Sequence, residues 1–172
     1  MKTITLFESK LRISIPEDFY PVQESEAALM FPYRERPQYI YASDALSRFL
    51  TFSLLEKPLR AGETMNAAKE LRKLVWSLNP SSMLSQAHPF GFGNLRCSGF
   101  SFRTGSKDIQ VYNTMLAVSF EGRLLLCTYG CRMDDEEGKV LLRRLIADVE
   151  YIEVKERVMG RKNNFRNSSL EC

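Results

Sequence analysis

The sequence contains one histidine, one tryptophan and four cysteines in 172 residues, and each scarcity closes off a class of chemistry. A histidine-dependent triad would have to use His88, and no Gly-x-Ser-x-Gly nucleophile elbow accompanies it. Cys97, Cys127, Cys131 and Cys172 are too few for a disulfide scaffold; they fit free thiols in a reducing compartment, so a cytoplasmic location is expected. Cys127 and Cys131 have no histidine at zinc-ligand spacing. They read as small apolar residues of a strand core, and no metal or other cofactor is expected. No apolar run approaches the roughly 18 residues of a membrane-spanning helix. Met1-Lys2-Thr3-Ile4-Thr5-Leu6-Phe7 alternates like a strand and lacks the apolar block of a secretory signal.

A one-sided charge on the body is also missing. Lys and Arg total 24 against 21 Asp and Glu. The whole excess lies in Val154–Cys172, where Lys155, Arg157, Arg161, Lys162 and Arg166 face only Glu156 and Glu171. A neutral body argues against a broad nucleic-acid surface, leaving contact with nucleic acid or acidic membrane to this tail alone. The tail has few large apolar residues to offset the cost of ordering, so it is expected to be flexible. At 44% hydrophobic and 26% charged, the composition is that of an ordinary globular protein. One domain over 1–153 followed by a basic tail over 154–172 is the expected organisation.

What is present is mostly β. Ile4–Phe7 and Leu11–Ile15 alternate at period two and predict an opening hairpin across Glu8-Ser9-Lys10. Ala27–Phe31, Gln38–Ala42 and Arg48–Leu55 are further strand candidates, separated by Pro32, Pro37 and Ser43-Asp44. From Gly62 the period changes. Met65, Ala68, Leu71, Leu74, Val75 and Leu78 share one helical arc, predicting an amphipathic helix that ends at Asn79-Pro80. Ser81–Asn94 reads as a loop or weak strand. Leu95–Arg103, Ile109–Phe120 and Arg123–Tyr129 then predict an antiparallel meander with turns at Thr104-Gly105-Ser106-Lys107 and Glu121-Gly122. Leu141, Leu142, Leu145, Ile146, Val149 and Ile152 form a second one-sided helix. The pattern predicts an α+β fold, a mainly antiparallel sheet with two principal covering helices.

The chain resembles the PsbP-like superfamily, which includes the Ran-binding Mog proteins and the bacterial DcrB-like proteins. The resemblance spans about Thr3 to Ile152. It rests on the opening strand with Pro16-Glu17-Asp18-Phe19, the Arg36-Pro37-Gln38 strand entry, the mid-chain helix, Gly122-Arg123-Leu124-Leu125-Leu126 and the closing helix. It implies an α/β/α sandwich and non-enzymatic roles such as accessory subunits, GTPase-binding factors and secretion chaperones. It transfers no functional residue, because function sits in sites grafted on folds.

Four segments carry candidate chemistry. Tyr33-Arg34-Glu35-Arg36-Pro37-Gln38-Tyr39-Ile40-Tyr41 sets two guanidinium groups beside three phenol rings, a composition suited to recognition. The alternative is internal ion pairing by Arg34 and Arg36, with Tyr39 and Tyr41 on a buried face. His88 reads as a surface-loop residue. Gly91-Phe92-Gly93 lacks the third glycine and following helix of a dinucleotide loop and reads as a turn with Phe90 and Phe92 half exposed, able to anchor a partner. Asp134-Asp135-Glu136-Glu137 lacks calcium-loop spacing and reads as the cap of the last helix. The sum predicts a non-enzymatic protein-binding or adaptor domain, with Tyr33, Arg34, Arg36, Tyr39, Tyr41, Phe90 and Phe92 as partner-binding candidates. The alternative is a small-molecule-binding or hydrolytic enzyme using a pocket on the sheet face.

Overall fold

Alternation at period two in the first fifteen residues produces a hairpin. Strand β1 (Lys2–Leu6) pairs with β2 (Leu11–Ile15), burying Leu6, Leu11, Ile13 and Ile15 on one face. The computed structural model describes residues 1–31, 35–80 and 82–153. The expectations for Tyr33, Arg34 and the tail over 154–172 lie outside the described residues. After the hairpin come β3 (Tyr20–Pro21), α1 (Glu24–Met30), β4 (Tyr39–Ala42), β5 (Arg48–Pro58), α2 (Thr64–Leu78) and the two-residue β6 (His88–Pro89). The chain continues with β7 (Cys97–Gly105), β8 (Gln110–Phe120), β9 (Arg123–Arg132), α3 (Glu136–Ala147) and β10 (Glu150–Tyr151).

Two antiparallel sheets result. The larger runs β3-β4-β5-β9-β8-β7-β6, and the smaller is the hairpin extended by β10. The predicted meander forms β7, β8 and β9 in continuous register, with Cys97 opposite Val118 and Leu116 opposite Cys127. Glu121 and Gly122 close β8 onto β9 with both residues at positive φ, as a two-residue hairpin turn requires.

The faces of the large sheet are covered differently. On the inner face, Leu50, Phe52, Leu116, Val118, Phe120, Leu125 and Cys127 pack under the small sheet and the apolar side of α3, Leu142, Leu145 and Ile146. On the outer face, α2 lies over β7 and β8, with Ala67 and Leu71 against Ala117 and Leu124, and Val75 against Phe100 and Phe102. The layers are helix, sheet, then helix with hairpin, the α+β arrangement expected. Cys97, Cys127 and Cys131 are buried free thiols in strands, as read from the sequence. Burial pushes Cys97 up to about 12 and Cys131 up to about 11.

Three element expectations are corrected. The closing helix ends at Ala147, so Val149 and Ile152 lie beyond it, on either side of β10. Residues 27–30 are helical, not extended: they belong to α1, whose Glu24 pairs with Arg36 and whose Glu26 accepts a hydrogen bond from the Tyr20 hydroxyl. The buried stripe of α2 is Thr64, Ala67, Ala68 and Val75 with Leu71 half-buried, whereas Leu74 is 54% exposed and Leu78 is 71% exposed. Leu74 lies on the flank of the stripe and Leu78 in the last turn of the helix.

Candidate functional site

Along the inner face of β7, β8 and β9 the apolar rows give way to hydroxyls. Register places Ser101 opposite Thr114 and Thr114 opposite Tyr129. Ser101 Oγ and Thr114 Oγ1 are 3.0 Å apart, and Tyr129 stands opposite Thr114 on the next strand. All three residues are buried. Burial holds the Tyr129 phenol well above its ordinary range, and the neighbouring Cys127 adds to this, so it stays protonated. This row is the floor of a cleft of about 300 Å³.

One wall is the first half of α3, which presents Lys139 and Arg143 one turn apart with Val140 between them. Lys139 Nζ lies 2.8 Å from Glu136 Oε1 and 4.9 Å from the centre of the Tyr112 ring. The Arg143 guanidinium stands 5.6 Å from the centre of the Phe90 ring and has no hydrogen bond or ion pair among the described residues. The other wall is the Met83–Phe90 segment, which runs beside β7. Leu84 bridges Phe102, the Ser85 N–H donates to the Ser101 carbonyl, and His88 pairs with Gly99. Antiparallel pairing therefore sets His88 on the inner face, stacked on Phe90 at 4.3 Å between ring centres. His88 is half-buried on the cleft wall, which corrects the expectation of a surface-loop residue. Its Nδ1 lies 3.0 Å from the Gln86 carbonyl; a carbonyl only accepts, so Nδ1 carries a hydrogen.

Ser85, Ser101 and Tyr112 are shared with a second hollow of about 320 Å³, walled by Met83, Leu84, Phe102, Arg103 and Met133. Through these shared residues the two form one trough, hydroxyl-floored with Lys139 and Arg143 at one end and mostly apolar beside Arg103 at the other. Met83 and Val140 on its rim are more than 60% exposed. Among the described residues lining either half, none is acidic.

The sequence-predicted candidates are placed differently. Phe90 is half-buried and lines the cleft. Phe92 is fully buried in the main core, which corrects the expectation of an exposed aromatic there. The turn is tucked inward, with the Gly93 N–H donating to the Ala147 carbonyl at 3.0 Å. Arg36 pairs with Glu24 and donates from Nε to the Phe31 carbonyl. Tyr39 and Tyr41 pack half-buried on the main core, and the Tyr39 hydroxyl accepts the Phe7 N–H. Burial, then the neighbouring Tyr39, raises the Tyr41 phenol. The described part of the arginine–tyrosine segment thus makes internal bonds, on strand β4, five positions across the sheet from β6. At ~4.8 Å per strand that is roughly 24 Å from Phe90. The acidic run acts as the cap expected of it: Asp135 accepts the Gly138 N–H at 2.9 Å.

Sequence reasoning missed Lys139, Arg143, Ser101, Tyr112, Thr114 and Tyr129. The spacing of Lys139 and Arg143 at i and i+4 was visible, but the hydroxyl row exists only through strand register.

A scan against protein-family models finds no match, and none is found among curated proteins. Solved structures do match. Cyanobacterial PsbP (CyanoP) of Synechocystis superposes with a TM-score of 0.60 at 11% identity, over 88% of this chain and 92% of that one. LpqN of Mycobacterium tuberculosis, involved in cell envelope biogenesis, gives 0.52 at 14% identity, over 83% of each chain. A Bacteroides thetaiotaomicron protein gives 0.57 at 11% identity over 90% of this chain, which spans only 50% of that protein's length. The fold is PsbP-like.

Proposed function

We propose that the chain is a non-enzymatic binding domain, an accessory or adaptor protein that takes a segment of another protein into the trough between α3, the inner face of β7 and β8, and the Met83–Phe90 segment. The observation that carries this reading is the composition of the trough. Met83, Met133, Phe90, Tyr112, Arg103 and Arg143 are the residue types enriched at protein interfaces, and no acidic residue competes with them among those lining it. Exposed Met83 and Val140 on the rim suit a ligand lying across the opening rather than one enclosed. The accessory roles of PsbP-like proteins support the same reading by analogy of fold.

The hydrolytic alternative would pair Ser85 with His88, since both line the cleft. Both instead bond the Gln86 carbonyl, and the Ser85 hydroxyl also accepts the Ser101 N–H at 2.9 Å. A nucleophile must hand its hydrogen to its base, and the Ser85 hydroxyl donates to the Gln86 carbonyl instead of to His88. The buried free thiols support a reducing compartment.

Photo-crosslinking tests the site. A benzophenone side chain at Met83 or Val140 is expected to capture a partner in the native host, while the same group at Leu29, which is 83% exposed on α1, captures none. Equal capture from Leu29, or capture from that position alone, overturns the assignment.

A further inference from the structure

We infer that the segment taken by the trough carries a carboxylate side chain directly beside bulky apolar side chains, the acid seated against Arg143 and Lys139 above the hydroxyl row and the apolar neighbour against Met83 and Met133. This rests on the docking role proposed above and adds the chemistry of the occupant.

Charge complementarity is the first ground. Two cations stand one turn apart on the same wall of the polar half, and Glu136 engages only Lys139. Arg143 keeps its five N–H donors for a group from outside, held over Phe90 by a ring contact that leaves those donors open. Guanidinium matches a carboxylate in a bidentate fork.

Hydrogen counting is the second ground. Ser101 and Thr114 own two O–H hydrogens, and the bond that joins them consumes one. The other is left for an acceptor, beside the protonated Tyr129 phenol. A carboxylate supplies acceptors only, so it satisfies this donor and the cations together, whereas an amine or a guanidinium would meet donors with donors.

The third ground is the joint between the halves. The apolar hollow shares Ser85, Ser101 and Tyr112 with the polar one, so the two groups of the occupant must be adjacent. At ~30 Å³ per water, each half has room for about ten waters, enough for one or two side chains but not for a folded element. An extended peptide, whose side chains alternate in direction and whose backbone can lie across the open rim, fits both halves.

The test selects peptides from a random library, displayed as internal fusions so that no chain terminus contributes a carboxylate, on the full-length protein. The expected winners carry Asp or Glu next to Leu, Ile, Met or Phe. A synthetic winner should bind at least ~10-fold more weakly when its acid is replaced by the amide, and likewise to Arg143→Glu, an exposed substitution whose melting temperature is checked against the parent. Reselection on Arg143→Glu should exchange the acid for Lys or Arg. Arg143→Gln and Lys139→Gln should each weaken binding without that exchange. Winners without acid that are still lost on Met83→Asp overturn the carboxylate while leaving the docking site standing. Failure to select any peptide, or binding indifferent to Met83→Asp and Arg143→Glu alike, overturns the docking site as well. Tight binding of decanoate with no peptide selected assigns the same chemistry to a free amphipathic acid and overturns the peptide.

Discussion

Asp135 stands where β9 hands the chain to α3, accepting the Gly138 N–H and, through both oxygens, the Arg48 guanidinium at 2.7 and 2.9 Å. These bonds, led by Arg48, hold its carboxyl below the ordinary range. A depressed carboxyl contributes stability that is fully present above the unfolded-state value near 3.9 and is lost as pH falls through the folded-state value. Asp135→Asn keeps the cap and removes the charge, so it should cost about 1 kcal/mol at pH 7, a difference that fades in urea titrations carried down to pH 3. Gly138 is the second half of the same device: a Cβ there would lie 2.1 Å from Asp135 Oδ2 and 2.9 Å from Arg48 Nε. Gly138→Ala should therefore exceed the cost of Asp135→Asn in the same titration, because the added methyl must displace both partners. Phe92, read from the sequence as a half-exposed anchor, should behave as core. Phe92→Ala should cost about 3–5 kcal/mol by denaturant unfolding, against less than ~0.5 for a surface ring.

At the scale of elements, the meander and α3 were legible because their periods are long and their turns carry glycine, and Leu142, Leu145 and Ile146 are buried as their arc required. The seven residues of α1 give too short a period to read, and Ala27-Ala28-Leu29-Met30 looks equally like a strand. What decides for helix is tertiary: Tyr20 from β3 and Arg36 beyond the helix each bond one of its glutamates. The α2 arc was legible in outline and misjudged in width. The outer face of β7, β8 and the start of β9 lies beneath it, and a helix resting on Ala67 and Ala68 leaves its flank wet. Leu145→Ala should thus cost about 2–5 kcal/mol, whereas Leu74→Ala should stay within about 0.5 kcal/mol, both read as shifts in denaturation midpoint. The trough was illegible for a different reason. Ser101, Thr114 and Tyr129 sit in three strands, and His88 reaches the same face through a two-residue pairing that no periodicity announces.

For the whole molecule, one sheet serves two purposes. Its outer face is covered by α2 over the meander strands, while its inner face is closed by the hairpin and α3 over the apolar rows and opens into the trough at the hydroxyl row. The described part of the arginine–tyrosine segment and the trough lie toward opposite edges of that sheet, so a single small partner segment cannot engage both. A ¹⁵N–¹H NMR titration of the full chain with a selected acidic–apolar peptide decides between them. The expected result is shift changes concentrated on Met83–Phe90, Ser101–Arg103, Tyr112–Thr114 and Lys139–Arg143. Changes concentrated on Arg36–Tyr41, with the Arg143 and Ser101 amides unmoved, would contradict the assignment of the trough as the binding site.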